Sequence, residues 1–143
     1  MNTRPLTFAD YDKKYIQLLG QLTTVGEVTR EQFDKQLAAM LFSDDHHVIV
    51  VEDPEKGVIV GTASLLIEHK FIHSCGMVGH IEDVVVDASC RGMGLGRILV
   101  DTLIEMAMQR GCYKVVLDCT EKNVPFYETC GLSRKEMQMV KYL

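Results

Sequence analysis

The sequence predicts an α+β fold whose centre is a mixed β-sheet. Two β-rich runs, residues 48–51 and 58–67, flank a turn-forming stretch at residues 53–57, which predicts an antiparallel hairpin. The β-branched run at residues 84–86 predicts a strand, and a glycine-rich loop, a helix and a further strand follow it. Two strands joined through a helix form a right-handed parallel pair, so the sheet should contain both kinds of pairing.

Length and charge limit what the chain can be. Its 143 residues, 47% of them hydrophobic, are enough for one core, so we expect a single domain over residues 1–143. No stretch approaches the roughly 18 uninterrupted apolar residues of a membrane span, and we expect no membrane insertion. Fifteen basic and 20 acidic residues give a formal charge of −5, which argues against nucleic-acid binding through a general basic field.

The cysteines and the two ends of the sequence bear on the compartment. Five cysteines, an odd number without C-x-x-C spacing, favour free thiols in a reducing compartment, and the cytoplasm is the expected one. The first residues lack the apolar core of a secretory signal. Lys141, Tyr142 and Leu143 depart from the Ser-Lys-Leu peroxisomal address at two positions, and an organelle stays open as an alternative.

Before the hairpin, the sequence predicts one edge strand and two helices. Pro5 suits an edge strand at residues 4–6, where no N–H has to be donated. Asp10 is expected to cap the first helix. The apolar face of that helix is formed by Tyr11, Tyr15, Leu18, Leu19 and Leu22. Thr29 and Gln32 predict a capping box at the start of the second helix. Its inward residues are expected to be Phe33, Leu37, Met40 and Leu41.

After the strand of residues 84–86, a long amphipathic helix is predicted to end at Gly111, a typical C-cap. Its apolar residues recur at helical spacing: Leu95, Ile98, Leu99, Leu103, Ile104, Met106 and Ala107. A strand at residues 114–119, a short helix at 124–130 and a final strand at 136–142 complete the expected order β-α-α-β-β-β-α-β-α-β.

Gly92, Gly94 and Gly96 alternate in the loop between this strand and this helix. Glycines let a backbone approach a ligand closely, and the helix start points free N–H groups and the positive dipole end at an anion. The loop therefore predicts a phosphate-binding site. Leu99 occupies the place of the third glycine of a dinucleotide fingerprint, and no Gly-Lys-Ser/Thr follows, so both nucleotide classes are disfavoured.

Arg91, Gly94 and Gly96 resemble the acetyl-CoA signature R/Q-x-x-G-x-G/A of the GCN5-related N-acetyltransferase family. The resemblance extends from about residue 19 to the C-terminus, and it is closest to those members that acetylate an amino-sugar phosphate. Four further stretches carry it: residues 67–73, 79–86, 111–115 and 123–131. It implies helices on both faces of the sheet and a splayed parallel pair, the strands of Val84 and Val116, with a cleft between them.

The resemblance implies an enzyme that transfers the acetyl group of acetyl-CoA to the amine of D-glucosamine 6-phosphate. The product would be N-acetylglucosamine 6-phosphate, on the route to UDP-N-acetylglucosamine. Direct attack in a ternary complex is expected, because no cysteine lies in a nucleophile motif. A homodimer that shares the sugar site between chains is also implied. The alternatives are another small amine or a peptide N-terminus as acceptor, and a non-catalytic CoA-binding module.

The resemblance assigns three groups of residues to acetyl-CoA. Main-chain N–H groups would bind the pyrophosphate along Arg91, Gly92, Met93, Gly94, Leu95, Gly96 and Arg97. The main chain of Val84 and Val86 would pair with the pantetheine arm as an added strand does. Asn123 would bond the same arm, and Tyr127, next to Phe126, would lie beside the sulfur and stabilise or protonate the departing thiolate.

For the acceptor, the acidic pair Glu82 and Asp83 is expected to point to opposite faces of the sheet, and the residue facing the cleft would hold the amine and hydroxyls. Asp118 matches a family acid near the amine. The remaining sugar and phosphate contacts implied by the family are Thr23, Lys70, His73, Val84, Tyr113 and Lys114.

Two features of the sequence lie outside this pattern. The family often carries an arginine close to the C-terminus, whereas this chain has Lys141, which lacks the bidentate fork of arginine. The spacing of four candidate metal ligands fits no common zinc pattern, so no metal is expected. Those candidates are His69, His73, Cys75 and His80.

Overall fold

In the computed structural model, which describes residues 1–143, five strands form one mixed sheet in the order β1-β2-β3-β4-β5. They are β1 (Thr3–Pro5), β2 (His46–Asp53), β3 (Val58–His69), β4 (Met77–Val86) and β5 (Lys114–Val116). Strands β1 to β4 pair antiparallel, and β4 pairs with β5 in parallel. The predicted hairpin, the edge strand and the mixed sheet are confirmed.

Helices cover both faces of this sheet, as expected. They are α1 (Tyr15–Leu19), α2 (Arg30–Phe42), α3 (Ile72–Cys75), α4 (Leu95–Arg110) and α5 (Val124–Thr129). On one face, Leu99 and Leu103 of α4 are fully buried in a cluster with Leu65 of β3. On the other face, Leu18 of α1 and Phe33 of α2 belong to a second buried cluster. Gly111 ends α4 with a φ of 89°, so the predicted C-cap is also confirmed.

The capping box of α2 forms as predicted. The side chain of Thr29 accepts a hydrogen bond from the Gln32 N–H at 3.1 Å, and the Gln32 Oε1 accepts one from the Thr29 N–H at 2.9 Å. Leu37 is buried, but Leu41 is 57% exposed, so its predicted inward position is wrong. The last turn of α2, which ends at the 94% exposed Phe42, extends past the buried surface.

Asp10 takes part in capping the first helical segment, but as the third residue of a capping box whose N-cap is Thr7 and not as the predicted N-cap. The chain forms a 3₁₀ segment, Phe8–Lys13, and the left-handed Lys14 (φ 61°) separates it from α1. Asp10 is fully buried, and its carboxylate accepts one hydrogen bond from each of Arg4 Nη1 and Nη2, both at 2.8 Å. The Thr7 N–H donates to it as well. Besides its capping contact, the buried Asp10 therefore ties the first helical segment to Arg4 of β1.

The end of the chain also differs from the prediction. Strand β5 stops at Val116, and residues 136–142 form no strand, since they pair with neither edge of the sheet. Apolar side chains in this segment are more than nine-tenths exposed: Met137, Met139 and Tyr142.

Two further observations concern the whole chain. No helix combines the length and the apolar character that crossing a membrane requires. All five cysteines are unpaired in the structure.

Candidate active site

The glycine loop adopts the conformation that an anion site requires. Gly92 and Gly94 have φ values of 84° and 79°, in the left-handed region that side chains disfavour, and Gly94 is the N-cap of α4. The main-chain N–H groups of residues 92–97 are not engaged by other backbone groups. These N–H groups and the start of a 16-residue helix are therefore free to bind a phosphate. Arg91 is exposed beside them, whereas Arg97 Nε donates to Asp101 at 2.9 Å.

Helix α5 places Tyr127 next to this loop. A Cβ atom at Gly96 would lie only 3.1 Å from Cζ of Phe126, so the absence of a side chain lets α5 approach the first turn of α4. The rings of Phe126 and Tyr127 meet edge to face, with centroids 5.0 Å apart. Burial, together with the nearby sulfurs of Cys119 and Cys130, raises the pKa of Tyr127, because both disfavour the phenolate. The hydroxyl is thus protonated at neutral pH and able to donate.

The cleft that the resemblance implied between β4 and β5 would begin where their pairing ends. Their parallel pairing ends at His80 and Val116, whereas β4 continues to Val86. The β5-facing main chain of the second half of β4, which includes Val84, is therefore without a strand partner. Val84 and Val86 themselves are half-buried and pack on the α4 side of the core. An extended ligand can pair with this backbone.

The acidic pair does not point to opposite faces. The register between β3 and β4 shifts between Thr62 and Ser64, and Asp83 has a φ of 52° at this bulge. Glu82 and Asp83 consequently line one groove of about 390 Å³ between the sheet and helices α1 and α2. An extra residue in one strand interrupts the strict alternation of side chains, so the prediction of opposite faces is wrong.

Glu82 lies in the most negative part of this groove. Partial desolvation and the charges of Asp83 and Asp118 raise the pKa of Glu82. Asp118 is exposed beyond the end of β5, and its Oδ2 accepts a hydrogen bond from the Gln138 side chain at 2.8 Å. The structure therefore brings the three predicted acids into one electrostatic group, and the C-terminal segment reaches it.

The predicted phosphate contacts gather at the other end of β4. The His73 ring stacks on Tyr113 with centroids 4.0 Å apart, and the Lys114 ammonium lies 5.8 Å from the Tyr113 centroid. The Lys70 N–H donates to the Gly76 carbonyl at 2.9 Å, which closes the turn that contains α3. Within that turn His73, Ser74 and Cys75 all have positive φ, an unfavourable conformation for residues with side chains.

Glu68 and His80 lie between the predicted residues Lys70 and Glu82, and the sequence analysis assigned neither of them to the acceptor. Glu68 Oε2 lies 3.3 Å from Lys70 Nζ, and Glu68 Oε1 lies 2.9 Å from His80 Nε2. Because His80 and Glu82 are two residues apart on β4, they lie on the same face. A polar row therefore connects Lys70 with Glu82. The sequence contains a signal for this row: Glu68 and Lys70 are two residues apart, and so are His80 and Glu82.

The remaining predicted residues lie at the edges of the site. Thr23 is exposed in the turn after α1, between the groove-lining residues Leu19 and Val25. Asn123 is the N-cap of α5, and Lys141 is exposed in the C-terminal segment. The histidines considered as metal ligands have separate partners. His69 contacts Asp45, His80 contacts Glu68, and His73 stacks on Tyr113.

The sequence matches the model of the Acetyltransferase (GNAT) family over residues 13–132. It is 48% identical to the Arabidopsis thaliana glucosamine 6-phosphate N-acetyltransferase over 140 residues, which are 97% of this chain and 94% of the relative. It is 44% identical to the Dictyostelium discoideum glucosamine 6-phosphate N-acetyltransferase 1, over 98% of this chain and 89% of that protein.

Two solved structures are similar to this chain throughout. The crystal structure of the Arabidopsis thaliana glucosamine-6-phosphate N-acetyltransferase superposes with a TM-score of 0.97 at 47% identity, covering 99% of this chain and 97% of the other. A Trypanosoma brucei acetyltransferase superposes with a TM-score of 0.92 at 41% identity, covering 99% of each.

Proposed function

The chain belongs to the acetyltransferase (GNAT) family, and we propose that this enzyme transfers the acetyl group of acetyl-CoA to the amine of D-glucosamine 6-phosphate. The choice of acceptor rests on the polar row described above. This row ends in Lys70 on one side and in the carboxylates of Glu82 and Asp83 on the other. An amino-sugar phosphate carries an amine and a dianion at separate positions, and the row offers a group of opposite charge to each. The similarity to relatives named for this substrate supports the same choice.

The residues on the cofactor side fit acetyl-CoA. The free N–H groups of residues 92–97 would hold the pyrophosphate, with Arg91 adding a positive charge. The unpaired backbone at Val84 and Val86 would hold the pantetheine arm, and Asn123 would bond it further. Acetyl-CoA, when bound, supplies the acetyl group and a thiolate as the leaving group.

The chain's own groups would move two protons in a ternary complex. Asp83 and Asp118 would orient the bound ammonium while it gives its first proton to water, and Glu82, whose pKa is raised, is suited to accept the second proton as the amine attacks. Tyr127, protonated at neutral pH, would donate to the departing sulfur. The product, N-acetylglucosamine 6-phosphate, would place the enzyme on the route to UDP-N-acetylglucosamine.

The sugar phosphate would be bound by the cluster at the start of β4. Lys70, His73, Tyr113 and Lys114 are brought together there by the His73–Tyr113 stack and the closed turn. Thr23 would contact the sugar from the α1 side. Lys141 would replace the family's C-terminal arginine as a point charge rather than as a bidentate fork.

We also propose that residues 1–143 act as one domain within a homodimer. Both apolar clusters are built on the same sheet, which supports the single domain. The C-terminal segment exposes Met137, Met139 and Tyr142 almost completely, which supports a partner surface for it. At protein concentrations that give full activity, light scattering should give the mass of two chains. A monomeric mass at those concentrations would contradict the homodimer.

A thiol-release assay over a panel of amines tests the substrate. We expect turnover with glucosamine 6-phosphate and much less with polyamines and peptide N-termini. The opposite ranking would keep the family and overturn the substrate, and CoA binding without any acetylation would indicate a non-catalytic module.

Lys70→Ala sharpens the same test. Hydrogen bonds to charged groups contribute about 1.5–3 kcal/mol, so kcat/KM for glucosamine 6-phosphate should fall roughly 10- to 100-fold. Turnover of glucosamine, which lacks the phosphate, should not change. Lys35→Ala, at an exposed position of α2, is the matched control. Equal losses on both sugars would contradict the phosphate contact.

A further inference from the structure

Gln21 joins two parts of the chain that are 66 residues apart in sequence. It lies in the turn that follows α1 and uses both ends of its side-chain amide. Its Nε2 donates to Asp87 Oδ2 at 2.7 Å, and its Oε1 accepts from the Ala88 N–H at 2.9 Å. No other side chain links this turn to the segment that follows β4 by hydrogen bonds.

The Asp87 end of this contact is anchored to the sheet and to the cofactor loop. The Asp87 N–H donates to the Val60 carbonyl of β3 at 2.8 Å, and the Asp87 Oδ1 accepts from the Ser89 N–H at 2.9 Å. The buried Cys90 donates its N–H to the Asp87 carbonyl and leads directly into Arg91. Only the short 3₁₀ turn Ala88–Cys90 therefore separates Asp87 from the start of the glycine loop at Arg91.

The Gln21 end belongs to the wall of the acceptor groove. Thr23 follows two residues later, and Val25 and Val28 line the groove itself. No backbone–backbone hydrogen bond involves residues 24–27. Beyond Thr23 the wall is next tied down by the Tyr11 hydroxyl, which donates to the Val28 carbonyl at 2.8 Å. The backbone of Gln21 and Thr23 is held by the Leu18 and Leu19 carbonyls of α1. Residues 24–27 have no such bond, and the Gln21 side chain is the nearest link between them and the segment after β4.

We propose that Gln21 is a positioning residue that couples acetyl-CoA binding at the glycine loop to acceptor binding in the groove. A ligand on residues 92–97 orders the segment from Asp87 to Arg91, and the two hydrogen bonds of Gln21 transmit that order to the wall that contains Thr23. Acceptor affinity then rises when the cofactor site is filled, and by linkage cofactor affinity rises equally when acceptor is bound. This inference rests on the proposed function, because the acceptor site is the one argued above.

Two single variants and their combination test the contact. Gln21→Glu replaces the donor that faces the Asp87 carboxylate by a second carboxylate. Asp87→Asn turns an amide nitrogen toward the Gln21 amide nitrogen, because the oxygen of the new amide is held by the Ser89 N–H. The double variant restores both hydrogen bonds, and in the bond between positions 21 and 87 the donor and the acceptor change places. The amide introduced at position 87 donates to the carboxylate introduced at position 21, which still accepts from the Ala88 N–H.

Calorimetry gives the readout: the Kd of glucosamine 6-phosphate with and without saturating CoA. Hydrogen bonds exposed to water are modest, so we expect CoA to tighten wild-type acceptor binding by about three- to tenfold. Each single variant should reduce that factor to near one, and the double variant should recover it. Gln109→Glu, an exposed change on α4, is the matched control and should keep the wild-type factor. Thermal stability should be similar in all variants.

The outcomes separate this inference from the proposed function. If wild-type protein acetylates glucosamine 6-phosphate and every variant shows the wild-type coupling factor, Gln21 has no coupling role. If another amine from the panel is the true acceptor, the same five proteins are measured with that amine, and a coupling factor that both single variants keep then overturns the inference. Loss of the factor in both single variants without recovery in the double variant would also overturn the inference, because the two bonds would then not be its cause.

Discussion

The carboxylates of Glu82 and Asp83, adjacent in sequence, line the same groove, because Asp83 has a φ of 52° at the bulge in β4. In a regular strand neighbouring side chains would be separated by the sheet. The bulge thus places like charges together, and the pKa of Glu82 is raised by desolvation, by Asp83 and by Asp118.

The pH dependence of kcat should report this arrangement. Glu82 accepts a proton only when ionised, so activity should rise with pH through a pKa above the usual glutamate range. Asp118→Asn removes one negative charge, lowers the pKa of Glu82 and should move the acid limb to lower pH. Glu82→Gln should lower kcat and abolish the limb. If the acid side of the pH profile stayed the same in Glu82→Gln, it would report the titration of the acceptor's own ammonium group.

Tyr127→Phe separates chemistry from binding. The ring that packs against Phe126 is kept, so the free energy of unfolding should change by no more than about 1 kcal/mol, the value of one hydrogen bond. If the hydroxyl protonates the leaving thiolate, kcat should fall by about two to four orders of magnitude. The Kd of acetyl-CoA should barely change. An unchanged kcat would show that Tyr127 contributes packing and not proton donation.

Gly94→Ala should weaken acetyl-CoA binding beyond its effect on stability. A Cβ at Gly94 meets no protein atom within 4 Å, so within the protein the only cost is the left-handed backbone, about 1 kcal/mol. Gly57→Ala is a matched control, because Gly57 also has a positive φ and open surroundings but lies in the β2–β3 turn. Both variants should lose similar stability, and only Gly94→Ala should raise the KM for acetyl-CoA, by about tenfold. Equal KM values for acetyl-CoA in Gly94→Ala and Gly57→Ala would contradict the pyrophosphate site.

Asp10→Asn should destabilise the fold without touching the site. Burial acts to raise the pKa of Asp10, but the hydrogen bonds from Arg4 and Thr7 outweigh it and lower the pKa below its ordinary value. The carboxylate therefore stabilises the fold above its unfolded-state pKa, and this contribution is lost as the pH falls through the lower, folded-state pKa. Urea unfolding at neutral pH should show a loss of about 2 kcal/mol, the value of hydrogen bonds to a charged group, because Arg4 keeps its ion pair with Glu52. The difference from wild type should shrink in acid, whereas Glu55→Gln, in an exposed turn, should have little effect at any pH.

Features with local causes could be predicted from the sequence. The capping box at Thr29, the C-cap at Gly111 and the positive φ of Gly92 and Gly94 each depend on residues within a few positions, so the pattern of side chains is sufficient. The glycine loop between a strand and a helix accordingly predicted the anion site before any contact was known.

The tertiary structure decided what depends on distant partners. Arg4 of β1 pairs with the buried Asp10, the register of β3 against β4 places the bulge at Asp83, and Gln21 meets Asp87 across 66 residues. In each case the free energy comes from groups that sequence periodicity does not relate, namely a counter-charge on another element, a strand register or a hydrogen bond between loops. The C-terminal segment shows the same limit: residues 136–142 have the side chains of a strand, but a strand forms only where another backbone offers its N–H and C=O groups.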